Sequence, residues 1–75
     1  MSFENTSTDD LIRIAAAGGG FRLDVADRPA DELVRIAAAA SDWGVRLLFA
    51  GVSSRSTDDL VRIADAGEGC AEFEG

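Results

Sequence analysis

The chain has no histidine and no tyrosine, and only one cysteine, one proline and one tryptophan in 75 residues. Without histidine there is neither a Cys–His nucleophile nor a histidine-ligated zinc site, so Cys70 has no activating partner. General acid–base work falls to carboxylates or arginine, and none is singled out by its surroundings in the chain. One cysteine excludes an intramolecular disulfide, so no covalent staple supports a core this small. That points to a reducing, cytoplasmic setting, or to help from a second subunit. No apolar run approaches the roughly 20 residues that span a bilayer, and the start, Met1-Ser-Phe-Glu-Asn-Thr6, lacks the basic and apolar regions of a signal peptide. Basic residues are scarce too: 7 stand against 14 acidic ones, for a net charge of -7. Binding to nucleic acid or to an anionic membrane is disfavoured, whereas a basic protein surface would be attracted.

What is present is repetition. Ser7-Thr-Asp-Asp-Leu-Ile-Arg-Ile-Ala-Ala-Ala-Gly18 returns as Pro29-Ala-Asp-Glu-Leu-Val-Arg-Ile-Ala-Ala-Ala-Ala40 and again as Ser56-Thr-Asp-Asp-Leu-Val-Arg-Ile-Ala-Asp-Ala-Gly67. Each copy runs into a short segment of strand character. The chain therefore reads as one domain over 1–75, built from repeats at 7–26, 29–52 and 56–74.

Each repeat opens with helix-start chemistry. Ser7 or Thr8 can accept from free backbone N–H groups, Pro29 suits a first helical position, and Asp9/Asp10, Asp31/Glu32 and Asp58/Asp59 oppose the positive helix end. A helical period puts Leu11, Ile14, Ala15 and Gly18 on one face, then Leu33, Ile36, Ala37 and Ala40, then Leu60, Ile63, Ala64 and Gly67. Ile12 and Val34 lie on the flank, where a neighbouring helix could cover them. Asp9 with Arg13, Asp31 with Arg35 and Asp58 with Arg62 are spaced for pairing along each helix. Phe21 to Val25, Val45 to Phe49 and Cys70 to Glu74 alternate as strands, with Phe21, Leu23, Val25, Val45, Leu47, Phe49, Ala71 and Phe73 inward.

A strand joined to the next through a helix makes a right-handed parallel pair. Each strand has only one apolar face, so the helices belong on one side. The expected fold is α/β: three tandem helix–strand repeats, a three-stranded parallel sheet in order 1-2-3, and three helices on one face. The open face then presents Arg22, Asp24, Arg46, Leu48, Glu72 and Glu74, and the two sheet edges invite a second chain. This is the candidate interaction surface.

Other candidate chemistry has a simpler reading. Gly18-Gly-Gly20 follows a helix and precedes a strand, the wrong polarity for a phosphate loop, and reads as a helix stop and a turn. Gly51-Val-Ser-Ser-Arg-Ser-Thr57 has the right polarity, and Ser53, Ser54, Arg55, Ser56 and Thr57 form a candidate anion rim. Asp58 and Asp59 in the next turn oppose an anion, so capping is the preferred reading. The three acidic pairs would line one rim, where dipole compensation explains them more simply than Ca²⁺ or Mg²⁺. Trp43 reads as a lid over the core, or as a contact anchor if exposed.

Residues 21–67, a strand, a helix, a strand ending Ala50-Gly-Val-Ser53 and a helix, are loosely similar to the latter part of STAS-type anti-sigma antagonist domains. Arg28-Pro-Ala-Asp31 stands where that family has its phosphorylatable Asp-Ser-[Ser/Thr]-Gly segment. The spacing of Leu11, Leu33 and Leu60 resembles that of leucine-rich repeats, without their asparagine signature. No residue role is carried over from either family. The expectation is a non-enzymatic, acidic protein-interaction module that binds a protein partner or itself, with no cofactor. The alternatives are a binder of small anions or metabolites at the helix N-terminal rim, and an acidic nucleic-acid mimic.

Overall fold

Three serine and proline starts divide the chain into its helices. The computed structural model describes residues 6–75 and places helix α1 at Thr8–Ala16, strand β1 at Phe21–Asp24, α2 at Ala30–Trp43, β2 at Leu47–Ala50, α3 at Thr57–Gly67 and β3 at Ala71–Glu74. The N-terminal residues on which the expectation about a signal peptide rests lie outside the described residues. Ser7 Oγ accepts from Asp10 N at 3.2 Å, and Ser56 Oγ from Asp59 N at 3.2 Å. Each satisfies one of the amides that a helix start leaves without an internal partner. Pro29 is the N-cap of α2, one position earlier than expected, and its extended backbone makes no side-chain cap. Gly44, at φ 67°, ends α2 in the left-handed conformation that a side chain resists.

The sheet is parallel with strand order β1-β2-β3. Phe21, Leu47 and Ala71 share one row of the register, and Arg22, Leu48 and Glu72 the next. Leu23, Phe49 and Phe73 form the third row, and Asp24, Ala50 and Glu74 the fourth. β1 and β3 are each one residue shorter than the alternating stretches, and β2 starts two residues later and runs one residue further. Val25 and Val45 nevertheless remain in the core, with Val25 N donating to Ala50 O at 3.0 Å and Val45 N to Ala40 O at 3.1 Å.

All three helices lie on one face, with α2 packed between α1 and α3. Leu11, Ala15, Leu33, Ile36, Ala37, Ala40 and Ile63 meet Leu23, Leu47 and Phe49 in a single core cluster. The expected inward face is complete only in the middle helix, where Leu33, Ile36, Ala37 and Ala40 are all fully buried. In α1 Ile14 is half-buried and Gly18 exposed; in α3 Leu60 is half-buried and Ala64 exposed. The reason is position, since α1 and α3 each have one helical neighbour while α2 has two. Two close approaches require glycine, one between the leads into β1 and β2 and one between α3 and β3. A Cβ on Gly20 would stand 2.5 Å from Arg46 O, and one on Gly67 would stand 2.9 Å from Ala71 Cβ. No described helix is long and apolar enough to cross a membrane.

Candidate functional site

The alternation of the strands puts charged side chains on the face that no helix covers. Arg22 Nη2 reaches Glu74 Oε1 at 3.1 Å, and Arg46 Nη1 lies 3.6 Å from Glu72 Oε2. β1 and β3 flank β2, so the Arg22–Glu74 pair crosses over the outer side of the central strand. That crossing explains why Ala50 is only 3% exposed and Leu48 half-buried, although both side chains point away from the helices. Asp24 Oδ1 accepts from Ala26 N at 3.1 Å. Arg22, Asp24, Arg46, Leu48, Glu72 and Glu74 therefore share one surface, with two arginines spread among three carboxylates. Such exposed pairs contribute about 0–1 kcal/mol each and are weakened by salt.

The opposite behaviour is found on the helix layer. Pairing within each helix was the expectation for Asp9–Arg13, Asp31–Arg35 and Asp58–Arg62. Instead, Arg35 Nη2 reaches Asp9 Oδ1 at 3.1 Å, and Arg62 Nη2 reaches Asp31 Oδ1 at 2.8 Å. Each arginine thus bonds the carboxylate of the preceding repeat, because an extended guanidinium spans the groove between adjacent helices. The Asp31 hydrogen bond, and then its charge, raise the Arg62 pKa above its ordinary value. Secondary contacts are of the i, i+3 type, Arg13 with Asp10 at 3.4 Å and Arg62 with Asp59 at 3.7 Å.

A second series runs through the loops before the helices. Arg28 donates to Thr6 O and to Thr8 Oγ1, and Arg55 donates to Val25 O and Arg28 O. Counted from the repeat leucines, Thr6, Arg28 and Arg55 occupy equivalent positions, so each arginine binds the equivalent carbonyl one repeat back. Within the candidate anion rim, Arg55 is committed to backbone carbonyls, with its Nε buried and unpartnered among the described residues. Ser56 Oγ is committed to Asp59 N, while Ser53, Ser54 and Thr57 are exposed. A nearby concavity of about 280 Å³ is lined by Asp24, Ala26, Asp27 and Arg28, with acidic and basic groups mixed. No group of three or more metal-ligating side chains gathers among the described residues.

Trp43 is 62% exposed, so it is not the core lid, and Val61 is exposed at 59%. The core cluster closes without the indole. The exposure of Trp43 was open in the sequence as the contact-anchor alternative. The Arg28 and Arg55 struts were not seen there, although their equal offset from Leu33 and Leu60 was available as a signal. A shallow concavity of about 480 Å³ on the outer flank of α1, lined by Thr6, Asp10, Arg13, Ile14 and Ala17, left no trace in the sequence. Comparison with protein-family models, with curated proteins and with solved structures gives no match.

Proposed function

We propose that the chain is a non-enzymatic, acidic protein-interaction module that associates with itself or with a protein partner through the sheet. The observation that carries this reading is the uncovered sheet face, on which Arg22–Glu74 and Arg46–Glu72 span strands around the half-buried Leu48. With four of its charges in two ion pairs and Asp24 accepting from Ala26 N, the face leaves no charged side chain without a bonding partner for an incoming chain to strand. β3 has one strand neighbour and offers the backbone of its outer edge to another chain. The exposed Trp43 adds a side chain of the type enriched at the energetic centres of interfaces.

Sedimentation from low to high micromolar concentration, together with capture of binding partners from a lysate, tests the reading. Concentration-dependent growth or specific capture supports it. A monomer throughout with no partner leaves it without support.

A further inference from the structure

The interfaces between repeats follow a rule, and the outer flanks of α1 and α3 carry the two unused halves of it. Arg35 pairs with Asp9 and Arg62 with Asp31, one repeat back in each case. The next members of that series are Asp58, exposed on α3, and Arg13, whose side chain is 83% exposed on α1. Thr8 of repeat 1 bonds Glu32 of repeat 2. The equivalent donor in repeat 3 is Thr57, and the equivalent acceptor in repeat 1 is Asp10. The apolar residues follow the same rule. Ile12 and Val34 are half-buried, whereas the equivalent Val61 stands 59% exposed. Ile36 and Ile63 are fully buried, whereas the equivalent Ile14 is half-buried and lines the 480 Å³ concavity together with Asp10, Arg13 and Ala17.

We infer that the occupant of the α1 concavity is α3 of a second copy of this chain, stacked head to tail so that copies continue the repeat series. Val61 of one copy then covers Ile14 and Ala17 of the next, Arg13 bonds Asp58, and Thr57 faces Asp10. The contact joins two different surfaces, so it does not close on a two-fold axis and propagates into longer arrays. The same arrangement brings β1 of the second copy alongside β3, with Arg22 opposite Glu72 and Phe21 in the row of Ala71. It also sets Asp24 opposite Glu74, a like-charge pair that weakens the contact. Asp65 on the α3 flank, where the other repeats have Ala16 and Ala38, adds negative charge there. The inference rests on the self-association reading and names its surface, moving the principal contact from the sheet face to the helix flanks.

The test is sedimentation over a concentration series with the native chain and five variants, circular dichroism confirming the fold of each. The native chain grows past dimer as concentration rises. Arg13→Glu and Asp58→Arg, both at exposed positions, each raise the concentration required by roughly tenfold or more, since each places like charges face to face. Mixing these two variants in equal amounts restores assembly, because every contact in an alternating array again joins opposite charges. Val61→Glu also abolishes assembly, and no mixture with the charge variants rescues it. Asp65→Ala strengthens it. Growth that stops at dimer, or growth unaffected by Arg13→Glu, Asp58→Arg and Val61→Glu yet abolished by Leu48→Glu, overturns the stacking while keeping self-association through the sheet. A native chain that stays monomeric overturns both.

Discussion

Repeats 2 and 3 share Leu-Val-Arg-Ile-Ala at the same phase of their helices, yet their side chains meet different surroundings. In α2 Leu33, Ile36, Ala37 and Ala40 are all fully buried. In α3 Ile63 is fully buried while Leu60 is half-buried and Ala64 exposed. The flank residue is half-buried at Val34 and exposed at Val61. The same motif therefore stabilises the fold by different amounts, and the number of neighbouring repeats sets the amount. In a stacked-repeat protein stability resides in the interfaces between units as well as in the units themselves. The acidic first turns differ in the same way: Asp9 and Asp31 are bonded by the arginine of the following repeat, while Asp58 has no ion-pair partner among the described residues.

The largest test of this comparison is a pair of truncations measured by chemical denaturation at low protein concentration. Ile36→Ala removes a fully buried side chain at an interface and costs about 3–4 kcal/mol. Ile14→Ala, at the equivalent but half-buried position, costs about 1–2 kcal/mol. Equal losses would mean that neighbours do not set the value of the motif. Gly20→Ala tests whether the sheet tolerates separation of its first two strands. The new methyl would meet Arg46 O at 2.5 Å, and relief of that overlap costs about 2–3 kcal/mol.

Arg55→Ala comes next, because it withdraws the guanidinium from Val25 O and Arg28 O and leaves two carbonyls to find other donors. The expected loss is about 1–3 kcal/mol in the unfolding free energy, and a loss near zero would show that solvent replaces the strut. The smallest effect separates the two ladder ends. Asp31→Ala lowers the thermal midpoint slightly in low salt and not in high salt, since its bond to Arg62 is exposed. Asp58→Ala removes only the charge that opposes the positive end of α3, so its loss in dilute protein is smaller than that of Asp31→Ala, and its larger effect is on assembly at high concentration. A low-salt loss in dilute solution as large as that of Asp31→Ala would place an ion-pair partner of Asp58 within the same chain.

Much of the architecture was legible because local patterns repeat. Ser7 and Ser56 announced helix starts, the Leu-x-x-Ile-Ala period set the buried face, and Phe21, Leu23, Leu47 and Phe49 alternated with groups that water can solvate. One apolar face per strand then required the helices to share a side. The same alternation places Arg22, Asp24, Arg46, Leu48, Glu72 and Glu74 on the side of the sheet away from the helices. Their pairing was not legible. Arg22 reaches Glu74 across two strand spacings, and no rule of adjacent positions selects that partner over Glu72.

The sequence by itself determined the number of units, their order and the side each turns to water, because periodicity and capping act over a few residues. Only the tertiary structure decided which arginine holds which carboxylate, that Trp43 stays outside the core, and that Val61 and Ile14 are left with an open side. Those outcomes depend on which helices become neighbours and how far a long side chain reaches across the groove between them. Packing several elements at once creates such distances, and a linear pattern of residues does not contain them.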